Sequence, residues 1–231
     1  VKWLALLLAA CCMAPAWAAR TPFQARCEDS ISKTISVLNV RQNGYSIDTS
    51  QSFRTLGQMH GPDARHPYVL GLTRAESRVA VNVDGPILYD SLSGYECVAP
   101  HIEVSLFYVP IIVYVGREFA PGSCAYKEIL AHEMRHLNTY FDYLPKVEAV
   151  VRAALSRRFE GKPLYAPAGQ AKALLAHEID TGWIPYIKAE LAKVETLQAA
   201  IDSPAEYERL SKVCQGEVQL ILHSATTKSR P

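Results

Sequence analysis

Hydrophobic positions in this chain follow two different periods, one on each side of residue 120. In "SRVAVNVD", Val79, Val81 and Val83 alternate with Arg78, Ala80 and Asn82, so residues 77–84 read as a strand with one buried face. "ISVLNV" and "YSIDT" flank "RQNG", and Asn43-Gly44 has the positive-φ residues of a hairpin turn. Asp84-Gly85 repeats that device after the valine run. The densest apolar stretch, "HIEVSLFYVPIIVYVGREF" at 101–119, predicts two strands meeting near Pro110, whose missing N–H suits a bend or an edge.

After "APGS" the apolar spacing becomes helical, predicting helices near 123–143, 146–159, 168–200 and 204–222. Pro185 should kink or split the third, because it lacks the donor a helix interior needs. Ser203, Pro204 and Glu206 form a helix start: a capping hydroxyl, a first-turn proline, and an acid near the positive end. The fold class expected is α+β, with mainly antiparallel N-terminal strands followed by a helical half. A single domain over 19–224 would divide into a strand-rich 19–118 and a helical 119–224, with 225–231 as a mobile tail.

Composition adds little beyond a globular chain: 231 residues, 49% hydrophobic, 20% charged. With 24 basic and 23 acidic residues the net charge is +1, so no overall field draws the chain to nucleic acid or an anionic membrane. The start, "VKWLALLLAACCMAPAWAAR", reads as a secretory signal cleaved after Ala18. The apolar run is at or below the minimum for a membrane span, and Pro15 interrupts it; no stable membrane insertion is expected after its removal. "LAAC" ending at Cys11 also resembles a lipobox, though behind an unusually short apolar segment. Export to a periplasmic or extracellular compartment leaves Cys27, Cys97, Cys124 and Cys214 as two expected disulfides. Of three connectivities, Cys27–Cys97 with Cys124–Cys214 is favoured, since each pair then lies within one structural half.

The first helical stretch carries His132, Glu133 and His136 as H-E-x-x-H. Two histidines four apart are only about 40° apart on a helix, and Glu133 lies about 60° beyond His136. Both imidazoles can then reach one ion while the carboxylate stands beside it, giving two zinc ligands and a general base. Solvated or core histidines are the plain alternative.

With this motif the sequence resembles the zincin metallopeptidases, and more closely the bacterial predicted secreted zinc-dependent proteases. The likeness extends over "GYSIDTSQSFRTLGQMHGPDARHPYVLGLT", "YECVAPHIEVSLFYVP", the "HEMRH" helix, and long helices with a late cysteine. The resemblance implies peptide hydrolysis, with a peptide or protein substrate.

A catalytic zinc site needs a third protein ligand. Asp142 sits where the metzincin-like pattern ends, but Thr139 replaces the turn glycine, and on a continuous helix Asp142 points about 100° away. Glu178 instead falls on an apolar stripe with Ala171, Leu174, Leu175 and Gly182. A buried carboxylate there needs a partner, either the metal or a basic residue. His177, one position before it, falls about 100° off that stripe. The site read from sequence is therefore Glu133 as catalytic base with His132, His136 and Glu178 on zinc. Tyr140 and Tyr143 lie near this face, His60 and His66 in a loop, and the strand near 102–116 is a candidate to pair an extended substrate. The other functional classes are a non-catalytic envelope protein with a structural metal, and a helical binding module.

Overall fold

The structure, a computed structural model, describes residues 20–30, 35–61 and 68–227. The expected leader, Cys11 and His66 lie outside these residues. In the first half, α1 (Pro22–Ser30) precedes β1 (Ile35–Gln42), β2 (Tyr45–Asp48), α2 (Phe53–His60), β3 (Gly71–Arg74), β4 (Ser77–Asp84), β5 (Ile87–Asp90), β6 (Tyr95–Val98), β7 (His101–Tyr108) and β8 (Ile111–Val115). The second half holds α3 (Cys124–Phe159), β9 (Leu164–Pro167), α4 (Ala171–Glu178), α5 (Ile184–Ala192), α6 (Val194–Ile201), α7 (Pro204–Lys212) and α8 (Glu217–Thr227). The α+β class expected from the two periods is the one found. Two helices, α1 and α2, interrupt the strand-rich half; Ser52 caps α2 by accepting from the Thr55 N–H, and Phe53 and Leu56 anchor it in the interior.

Asn43-Gly44 is not a hairpin turn. β1 runs parallel to β7 from Ile35↔His101, and β2 runs parallel to β8 from Tyr45↔Ile111, with the same sequence offset. Residues 35–48 therefore lie along 101–115 as one parallel ribbon, broken where Pro110 has no N–H to give. At the break Asn43 donates its side-chain amide to the Tyr108 carbonyl at 2.8 Å, and Ile111 N–H donates to the Gly44 carbonyl at 3.1 Å. Residues 71–84 pair antiparallel along the other side, β3 on β8 and β4 on β7. The most apolar segment thus takes the centre, where both edges are paired. Asp84-Gly85 is likewise a corner between sheets: β5 leaves to join β6 and β9, and a side chain at Gly85 would stand 2.0 Å from the Ala99 carbonyl oxygen.

Where sequence predicted two helices with a break after 143, α3 runs unbroken through Pro145 for 36 residues, about 54 Å. Pro145 leaves the Phe141 carbonyl without its helical donor, and the Gln42 side-chain amide donates to that oxygen instead at 3.0 Å. The next expected helix does split before Pro185: α4 passes through a π-helical turn at Ile179–Trp183 into α5. Ser203 caps α7 as expected, accepting from the Glu206 N–H. Of the expected tail, residues 225–227 continue α8.

Leu137, Leu144, Val147, Val151, Leu155 and Phe159 of α3 pack with Val104, Leu106, Ile111 and Val113 of the central segment in the main core. Both expected disulfides form. Cys27–Cys97 ties α1 to β6, and Cys124–Cys214 ties the start of α3 to the link between α7 and α8. In the chain-entropy picture a loop as long as the second contributes on the order of 4 kcal/mol.

Candidate metal centre

Ile129, His132, Glu133, His136 and Leu137 share the buried face of α3, so three ionisable groups lie on an apolar stripe and need partners inside the protein. Those of the histidines come from α6, which runs antiparallel to α3, and from the turn and first residues of α7 after it, and that of Glu133 from β3. Asp202 Oδ1 lies 3.2 Å from the Nε2 atoms of both His132 and His136, and those two nitrogens lie 3.2 Å from each other. Ligand atoms held tetrahedrally at about 2.0–2.1 Å from one zinc stand about 3.3 Å apart. The triangle has the size such an ion requires, and the three residues form a group able to hold a metal ion.

The hydrogen bonds behind the triangle favour that use. Gln198 donates its amide N–H to the His136 carbonyl at 3.2 Å, which turns its oxygen to the His136 Nδ1 at 2.6 Å. Nδ1 must then carry hydrogen, so neutral His136 points a lone pair from Nε2 at the Asp202 carboxylate. A cation or a second proton has to lie between them. His132 has Glu206 Oε1 3.3 Å from its Nδ1, an outer acceptor of the kind that orients metal-bound imidazoles. Arg135 lies 2.9 Å from this nitrogen, but a guanidinium only donates, so with Nδ1–H given to Glu206 the Arg135 hydrogen bond goes to that same carboxylate. Arg209 holds Glu206 from the other side at 2.9 and 3.0 Å, and with Arg135 it keeps the Glu206 carboxyl down at about 2. Burial works against ionisation of Asp202, but the bonds and charges of the two histidines outweigh it and hold its carboxyl well below the usual range.

Glu133 is buried beside the triangle and is not part of it. Thr73 of β3 donates its hydroxyl to Glu133 Oε2 at 2.9 Å, and burial raises the carboxyl above its ordinary value against the pull of His136, His132 and Thr73. Space for it depends on Gly71, where a Cβ would meet Glu133 Cγ and Oε1 at 2.7 Å. Gly71→Ala should displace the carboxylate without touching the three donors.

Glu178, expected as the third ligand, is not brought to the histidines. α4 docks near the far end of α3, roughly 33 Å along the helix from His136 at about 1.5 Å per residue. There Arg158 binds both Glu178 carboxylate oxygens at 2.7 and 2.8 Å, so the basic-partner alternative describes it. Its buried stripe is Ala171, Leu175 and Ile179, while Leu174 is exposed. His177 and, on the unbroken α3, Asp142 are both exposed. Asp202 and Gln198 were missed. A signal existed: Gln198 stands on the buried stripe of Leu191 and Val194, and a glutamine there needs a bonding partner.

The centre opens into a cavity of about 210 Å³. Val69 to Thr73, His60, Tyr140, Glu195, Tyr207 and Leu210 complete its wall with the residues already described. The segment 101–115 cannot pair a substrate, because both its edges are used; β3 is the outer strand beside the cavity. Comparison with protein-family models, with curated proteins and with solved structures finds no match for this chain.

Proposed function

We propose that this chain is a zinc-dependent hydrolase of peptide bonds, of the zincin kind, acting in a periplasmic or extracellular compartment. The observation that carries the reading is the three-donor triangle opening into a cavity with a buried glutamate at its side. Structural zinc sites are closed by four protein ligands, whereas catalytic ones keep three and an open position. Two disulfides suit an oxidising compartment, and among the described residues no helix is long and apolar enough to cross a membrane.

His132, His136 and Asp202 would hold the ion, with Gln198 and Glu206 orienting the imidazoles. Zinc bound there supplies Lewis acidity, bringing the pKa of water towards neutrality and polarising a carbonyl. Glu133 takes the proton from the attacking water and returns it to the leaving amine, a role favoured by the upward push of burial on its pKa. Thr73 fixes one of its oxygens and leaves the other beside Gly71. The outer edge of β3, unpaired among the described residues, would offer an extended peptide main-chain hydrogen bonds along the cavity wall.

Incubating the protein with a peptide mixture and reading products by mass spectrometry tests this. Cleavage should stop on chelation and return with zinc. Zinc that raises the melting temperature in a protein unable to cut any peptide would give the ion a structural role and reject the hydrolase.

A further inference from the structure

α6 lies on α3 as a ladder of polar pairs. Asp202 faces His132, Gln198 faces His136, and one rung further Glu195 faces Tyr140, whose hydroxyl donates to it at 3.5 Å. Glu195 is exposed and lines the cavity, and no ion pair to it is formed among the described residues. Lys193, two positions before it, is bound to Glu190 at 2.6 Å. The tyrosines behind this rung are unusual too. Tyr108 packs edge-on against Tyr140 with ring centres 5.4 Å apart. Its buried hydroxyl has no hydrogen-bond partner among the described residues, and the charge acting most strongly on it is that of Glu195.

We propose that this corner is a cation subsite, in which Glu195, backed by Tyr140 and Tyr108, binds a positively charged nitrogen of the substrate beside His136. The inference rests on the peptide-hydrolase reading and names its preferred substrates: peptides with a lysine or arginine side chain, or a free α-amine, at this position. A carboxylate without a counter-ion is a charge-assisted acceptor for such a group, and the Tyr140 hydroxyl, which also lines the cavity, orients it. Among the described residues no lysine or arginine lines the cavity.

The test separates binding from turnover. Zinc-loaded protein carrying Glu133→Gln is titrated, by fluorescence anisotropy, with a labelled hexapeptide containing one lysine and with its norleucine analogue. Each peptide is used with a free and with an acetylated N-terminus. The charged forms should bind at least about ten-fold tighter, the order expected of one charge-assisted pair, and adding Glu195→Gln should bring the ratio close to one while zinc content stays stoichiometric. Whether lysine or the free amine carries the preference identifies the source of the cation. Equal binding of all four peptides, no binding of any, or a preference that survives Glu195→Gln overturns the subsite. Wild-type cleavage is scored separately: a Glu195-dependent preference without turnover upholds the subsite and rejects the hydrolase, and turnover without preference does the reverse.

Discussion

Asp202→Ala is expected to weaken zinc binding more than about a hundred-fold, beyond the roughly ten- to hundred-fold that loss of an outer-sphere partner costs. Asp202 gives the anionic corner of a triangle whose edges are all 3.2 Å, and Glu206, the other carboxylate bonded to His132, is held away by Arg135 and Arg209. Gln198→Ala should fall within the outer-sphere range, because it frees the His136 ring without removing a donor. Glu178→Ala should leave zinc affinity unchanged, as its partner is Arg158 at the other end of α3. Competition with a metal-sensitive dye measures all three. A variant series in which Glu178→Ala loses the metal and Asp202→Ala keeps it would mean that the two helices do not meet as described.

Replacing Glu133 by glutamine should lower peptide hydrolysis by roughly 10²–10⁴-fold, the usual range for loss of a general base, with zinc retained. Glutamine keeps the volume of the side chain beside Gly71 and an oxygen for the Thr73 hydroxyl, so packing and metal geometry survive while proton acceptance is lost. Initial rates on a cleaved peptide, normalised to zinc content, check it. Full activity in this variant would place the proton transfer elsewhere and remove Glu133 from the mechanism.

Local features of the sequence determined much of the centre. The spacing of His132, Glu133 and His136 on a helical period requires two imidazoles on one face and a carboxylate beside them, wherever that helix is packed. The Ser203 helix start was legible for a similarly direct reason, and the cysteine count implied two disulfides, although sequence alone did not choose among three pairings. What the tertiary structure decided were the partners. Asn43-Gly44 has hairpin chemistry, but the apolar run at 101–115 needed a strand along each edge, and 35–48 was drawn into parallel pairing. Pro145 has helix-breaking chemistry, but Gln42, a residue 99 positions away in sequence, satisfies the carbonyl it frees. The third donor was hidden because a helical wheel reports which side of a helix a residue occupies and not where along another helix it docks. Glu178 lies close to the correct stripe of a helix packed at the wrong end of α3, and Asp202, in the turn before Ser203, reaches the histidines because α6 runs antiparallel against them. Periodicity is a property of one segment, whereas a metal centre is a distance between segments, and that distance is set by packing.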